Sequence, residues 1–233
     1  MVCNVITADK ANRLFWLGRY AERVYISMHL LRRYYDQVLD GDRANFKEYY
    51  RCLGVNTTGH DEESEACQLS QLYDHSNICS IASSLDGAND NGVVLRRDIK
   101  SESLSYIQLS RSLIDQCSAI SEMNITHLQP ITDYMLAFFG SVDERVFDER
   151  VRNFLKVGRF VENIELHIRF SYPHFRVEEV FLSLKEAIKR SGAIVDDVAL
   201  NSLDDMLKEE SYKPEDDIYR QRALGYLNRL VMI

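Results

Sequence analysis

Leu14-Phe15-Trp16-Leu17-Gly18-Arg19-Tyr20-Ala21-Glu22-Arg23 sets an Arg and a Glu three residues apart inside an otherwise apolar run. On a helix turning about 100° per residue, Leu14, Leu17, Ala21, Val24 and Met28 share one face, while Phe15, Arg19, Glu22 and Ile26 fall roughly 140 to 200° away. A helix that is apolar on both sides belongs in the middle of a bundle. The pattern therefore predicts a central helix with Arg19 and Glu22 on its second buried face.

A related stretch returns 140 residues later, with Gly158 matching Gly18: Phe154-Leu155-Lys156-Val157-Gly158-Arg159-Phe160-Val161-Glu162-Asn163. Phe154, Val157, Val161, Ile164 and Ile168 make its first face, and Leu155, Arg159, Glu162 and Leu166 its second. One pair of matching stretches is no short-period solenoid; it predicts two related helices in one bundle. Gly18 and Gly158 lie inside helices, where glycine costs about 1 kcal/mol relative to alanine. Close approach of another helix or of a ligand explains them.

A buried Arg or Glu is costly to desolvate unless it is paired and hydrogen-bonded. Three readings of Arg19, Glu22, Arg159 and Glu162 follow. In one they form an internal salt-bridge network that fixes helix register; in another they line a polar pocket for an anionic or zwitterionic ligand; in the third the pairs are simply solvated surface.

Outward from these stretches the chain reads as helix after helix. The first is expected from about Thr7 to Leu39, stopped by Asp40-Gly41-Asp42, and the second from Arg43 to Leu53, with Phe46, Tyr49, Tyr50 and Leu53 inward. Val55 to Glu65 reads as a loop. Short helices follow at Ser64–Tyr73 and Ser76–Leu85, and Asp86 to Gly92 is the best internal linker. A long helix is expected from Asn91 to Ser121, with Leu95, Ile99, Tyr106, Leu109, Leu113, Cys117 and Ile120 on one face. The next runs from Thr126 to Phe139, broken at Gly140-Ser141, and then from Asp143 to Tyr172, stopped by Pro173. Val177–Ser191, Val195–Lys208 and a segment beginning near Pro214 complete the series. No stretch alternates as a strand would. The expected class is all-α: a single domain over 1–233, a helical bundle with two related long central helices at about 7–35 and 143–172.

Composition agrees with a globular chain of ordinary character. Of the 233 residues 45% are hydrophobic and 27% charged, and only three prolines and ten glycines interrupt helices. The net charge of −8 argues against nucleic acid or an anionic membrane as partner, since both require a basic surface. The N-terminal residues carry no secretory pattern, and no apolar run approaches the length of a membrane span, so a cytoplasmic location is expected. Five scattered cysteines suit reduced thiols better than a disulfide framework.

The residues Phe15 to Arg23 closely resemble the opening motif of the bacterial alpha-E family, a predicted helical domain named for a Glu-Arg motif. Val157 to Glu162 resembles that family's second copy, and Asn91-Gly92-Val93-Val94-Leu95-Arg96-Arg97-Asp98-Ile99-Lys100-Ser101-Glu102 is similar to its middle motif. Asn163 departs from the Arg expected after Glu162, and Val93 and Leu104 depart from an Arg and a Trp. The resemblance implies a mostly helical bacterial protein, encoded beside or fused to ATP-grasp ligase-like and transglutaminase-like proteins. It also implies that Arg96 and Glu102 join Arg19, Glu22, Arg159 and Glu162 in one polar centre.

Other chemistry finds little support. A di-iron bundle requires a Glu-x-x-His pair, whereas Glu165 and His167 are two residues apart. Cys52, His60, Cys67, His75 and Cys79 cluster in sequence without standard zinc spacing. Neither phosphate-binding glycine pattern is present. No metal or cofactor is expected. The function expected is that of a non-catalytic accessory or scaffold for an ATP-grasp-type ligase in a peptide- or amide-bond-forming pathway. The alternative is an enzyme of that pathway binding a carboxylate-bearing substrate at the Arg/Glu centre.

Overall fold

Thr7 opens the first helix, its hydroxyl accepting a hydrogen bond from the Lys10 N–H at 3.3 Å. The computed structural model describes residues 6–40, 46–54, 65–120 and 125–232. Among these are α1 Ala8–Leu39, α2 Phe46–Leu53, α3 Glu65–Tyr73, α4 Ile81–Val94, α5 Arg96–Ile99, α6 Ser101–Ile120, α7 Ile125–Arg145, α8 Glu149–Arg169, α9 His174–Ser191, α10 Asp197–Met206 and α11 Asp217–Arg229. The β pairing among the described residues is an isolated bridge between Val195 and Val231. The protein is all-α. Gly41-Asp42, Arg43, the loop at 55–64 with His60, Cys3 and Ser121 lie outside the described residues.

Two compact units share the chain: Met1–Arg19 with Val146–Ile233, and Tyr20–Arg145. In the first, α8 and α9 form a helical hairpin joined through Phe170–Pro173, and α10 and α11 pack beside it. Its core gathers Phe15, Val157, Ile164, Phe181, Leu203 and Leu227 with their neighbours. Aspartates set the helix starts: Asp148 accepts from the Arg150 N–H at 3.0 Å, Asp196 from Val198 and Ala199, and Asp216 from Ile218 and Tyr219. Gly192, at φ 74°, ends α9 in the left-handed conformation favoured at helix C-termini.

In the second unit α6 packs against both α7 and α4. Tyr49 and Tyr50 of α2 are buried as expected, whereas Leu53 is half-buried. Gly54 follows at φ 76°.

The observed boundaries correct several expectations. Asp86 to Gly92 is no linker but the middle of α4. Its glycines make room for packing: a side chain on Gly87 would strike the Tyr20 ring, and one on Gly92 the Leu104 methyl. Asn91 caps no helix; its amide bonds back to the Gly87 carbonyl at 2.8 Å. The α4 helix starts at Ile81 rather than Ser76 because Ser80 caps it, accepting from the Ser83 N–H at 2.9 Å. The chain then breaks around Leu95 and again at Lys100, whose φ is 74°. That second break resets the helical phase, so α6 buries Ser103, Ile107, Ser110, Ile114 and Cys117 while Leu109 is 47% exposed.

Gly140 does not break α7, which starts at Ile125, holds Pro130 inside it and continues to Arg145. The second long helix begins at Glu149, six residues later than expected, because Asp148 caps there. Likewise α11 begins after Asp216 and not at Pro214. No helix among the described residues is long and apolar enough to cross a membrane.

Candidate functional site

Both faces of α1 are buried. Leu14, Leu17, Ala21, Val24 and Met28 are at most 2% exposed, and Phe15, Arg19, Glu22 and Ile26 at most 9%. In α8 the same holds for Phe154, Val157, Val161, Ile164 and Ile168 on one side and Leu155, Glu162 and Leu166 on the other, with Arg159 half-buried.

Within the first unit, α1 crosses α8 at the glycines. A side chain on Gly18 would run into the Leu155 carbonyl oxygen, and one on Gly158 into the Phe15 carbonyl oxygen. The contact is backbone against backbone, which a flexible neighbour cannot relieve. Close helix approach, rather than a ligand, accounts for both glycines.

Next to the crossing, Arg19 is held from two sides. Its Nε donates to Glu162 Oε2 at 2.7 Å and its Nη2 to Glu165 Oε2 at 2.5 Å. Glu165 Oε1 in turn accepts from Nε and Nη2 of Arg169 at 3.0 and 2.8 Å. The Arg19 guanidinium also lies 5.2 Å from the Trp16 ring and 5.9 Å from the Phe15 ring. Two arginines and two glutamates thus form a chain of balanced charge, in which Arg19, Glu162 and Glu165 are each no more than 7% exposed. Such charge-assisted pairing offsets the desolvation of groups that would otherwise be expelled.

Of the expected residues, Arg19 and Glu162 bond directly. Glu22 is fully buried on α1, Arg159 is half-buried on α8, and Arg96 and Glu102 are exposed on α5 and α6. Glu165 and Arg169 join Arg19 and Glu162 without having been expected in the polar centre. Their signal was the spacing: Glu162 and Glu165 are three apart on one helix face, and Glu165 precedes Arg169 by four, the favourable order for an ion pair.

Chemically, this arrangement is a tie between helices. Glu165 turns both oxygens to guanidinium groups and Glu162 its Oε2, and both carboxylates are buried. Among the described residues no three His, Cys, Asp or Glu side chains converge as a metal site.

The fold and the tie define an all-α protein in which two crossed, buried helices each carry a Gly-Arg motif, followed by Glu22-Arg23 in α1 and by Glu162-Asn163 in α8. The model of the Alpha-E family, described as a predicted alpha-helical domain with a conserved ER motif, matches residues 8–204, and the chain belongs to that family. Glu22-Arg23 lies within the match. No curated protein and no solved structure matches the chain.

Proposed function

We propose that this protein is a non-catalytic accessory or scaffold for an ATP-grasp-type ligase, in a bacterial, cytoplasmic pathway that forms peptide or amide bonds. The carrying observation is that Arg19, the motif arginine most suited to hold a substrate carboxylate, is taken up by Glu162 and Glu165. Glu165 is in turn held by Arg169. An enzyme that bound a carboxylate at this centre would keep its guanidinium available. The resemblance of Phe15–Arg23 and Val157–Glu162 to the alpha-E motifs supplies the partner class, with a transglutaminase-like protein as a second companion.

Co-expression with an ATP-grasp-type ligase drawn from the same genome tests the reading. The ligase is expected to co-purify at fixed stoichiometry, and its turnover to fall when this chain is omitted. A ligase that neither co-purifies nor changes in rate refutes the proposal. Turnover by the isolated chain that is lost on Glu162→Gln would instead favour an enzyme.

A further inference from the structure

The last helix, α11, lies outside residues 8–204, so its surface is not part of the family's matched domain. Ala223 and Leu227 anchor it in the core of the first unit. Its other side carries Arg222, Gly225, Tyr226 and Arg229, which line an open hollow of about 240 Å³.

Gly225 lines this hollow, and a side chain there would meet nothing within 4 Å. Every buried-face glycine of the described helices has a neighbour in that place: Gly18 and Gly158 the opposing backbone, Gly87 the Tyr20 ring, Gly92 the Leu104 methyl. Alanine is preferred to glycine inside a helix, so packing within the chain does not explain Gly225. Gly140 is open too. It has Ala137 and Glu144 at the positions where Gly225 has Arg222 and Arg229.

Positive charge collects around the hollow. Ser202 of α10 and Arg222 both hydrogen-bond the Tyr226 side chain, and these bonds, Ser202's first, hold its hydroxyl below the usual tyrosine value. The Arg229 guanidinium lies 4.9 Å from the Tyr226 ring. The carboxylate nearest Arg229 is that of Asp196, at 3.9 Å, and its other oxygen caps α10 by accepting from Val198 and Ala199. Two guanidinium groups thus face one phenol, and of the two Arg229 also pairs at 3.9 Å with Asp196.

We propose that this notch binds an oxyanion, a carboxylate or a phosphate, seated over Gly225 between Arg222 and Arg229. Planar guanidinium donors match either anion, and the glycine lets it approach the helix backbone. The chain's net charge of −8 repels anions at long range, so recognition here is short-range and salt-sensitive. The proposal does not depend on the ligase reading.

The full chain is titrated by NMR with inorganic phosphate and, separately, with an N-acetylated diglutamate peptide. Saturable shifts confined to 202 and 222–229 are expected, with Arg222→Gln weakening binding about tenfold through loss of a charged hydrogen bond. Gly225→Ala puts a methyl where the anion would approach the backbone and is expected to weaken the shifts while raising Tm, so that weakened binding cannot be assigned to misfolding. Saturation by the peptide alone identifies an acidic polypeptide as the source, and saturation by phosphate alone a phosphate-bearing ligand. Absence of saturable shifts with both probes, or binding unchanged by both substitutions, overturns the proposal.

Discussion

Gly18 and Gly158 face each other's helices through the same register: Gly18 lies against the carbonyl of Leu155, and Gly158 against that of Phe15. Each of those carbonyls belongs to the residue three before the opposite glycine, so the crossing repeats the match of the two stretches in three dimensions. Local propensity alone would favour alanine at both sites by about 1 kcal/mol. A new Cβ directed at a carbonyl oxygen forces the backbones apart, and overpacking of this kind typically costs about 1–3 kcal/mol or more. Gly18→Ala and Gly158→Ala should each be net destabilising, read as a lower urea midpoint. An unchanged or raised midpoint would mean that the helices do not approach this closely.

Arg19 is the hub of the buried network, so removing it takes away the guanidinium that joins Glu162 to Glu165. Stranding a buried charge costs about 3–5 kcal/mol. Arg19→Met should lose stability on that scale. Arg19→Lys should recover only part of it, because an ammonium cannot present the two-armed fork that reaches both carboxylates. Arg19→Met combined with Glu162→Met should be more stable than Arg19→Met alone, since Glu165 keeps Arg169. Additive losses in the double variant would show that the pair is not coupled.

Why some of this was legible and some was not follows from where the information sits. Burial of α1 on two sides is written in the three-four spacing of Leu14, Leu17 and Ala21 and again of Arg19, Glu22 and Ile26, so the central helices and the Arg19–Glu162 pair could be anticipated. Glu165 could not be found by comparing the two stretches. Its counterpart 140 residues earlier is Tyr25, and that of Arg169 is His29; these two form a ring contact at 4.6 Å in the second unit. Gly87 and Gly92 misled because glycine reads as a turn signal until the ring or methyl that needs the space is known. The break at Lys100 left no mark, since lysine seldom adopts a positive φ and nothing in its own chemistry announces one.

His75 joins the α3–α4 connection to two helices. Its Nδ1 lies 2.5 Å from Asp86 of α4 and its Nε2 3.4 Å from Asp115 of α6, while Arg111 pairs with Asp86 at 2.7 Å. The bond to Asp86 raises the imidazole above its usual value; Asp115 adds to this, and partial burial and Arg111 oppose it. A raised histidine contributes stability that is present below the unfolded value and is lost as pH rises through the folded one. Side-chain exposure of 43% keeps the effect small. Titration by NMR should place His75 above the ordinary value of about 6.5, and Asp86→Asn should bring it down. A His75 that titrates at or below that value would show that the clasp does not form in solution.

His167 is perturbed in the opposite sense. Its ring stacks on Tyr172 at 4.5 Å, and its Nδ1 is buried with no hydrogen-bond partner among the described residues. Burial, with the charge of Arg176 second, pushes its pKa down to about 4. The folded protein therefore holds it neutral at pH 7, whereas the unfolded chain takes up a proton below about 6.5. Its contribution is full above about 6.5 and is lost as pH falls toward about 4, the loss amounting to at most about 3 kcal/mol. His167→Phe keeps a stacking ring and removes both the titration and the orphaned nitrogen. Chemical unfolding between pH 7 and 4 should show a shallower loss of stability in this variant than in the parent chain. Parallel curves would place the acid sensitivity elsewhere and show that His167 is solvated in the folded state.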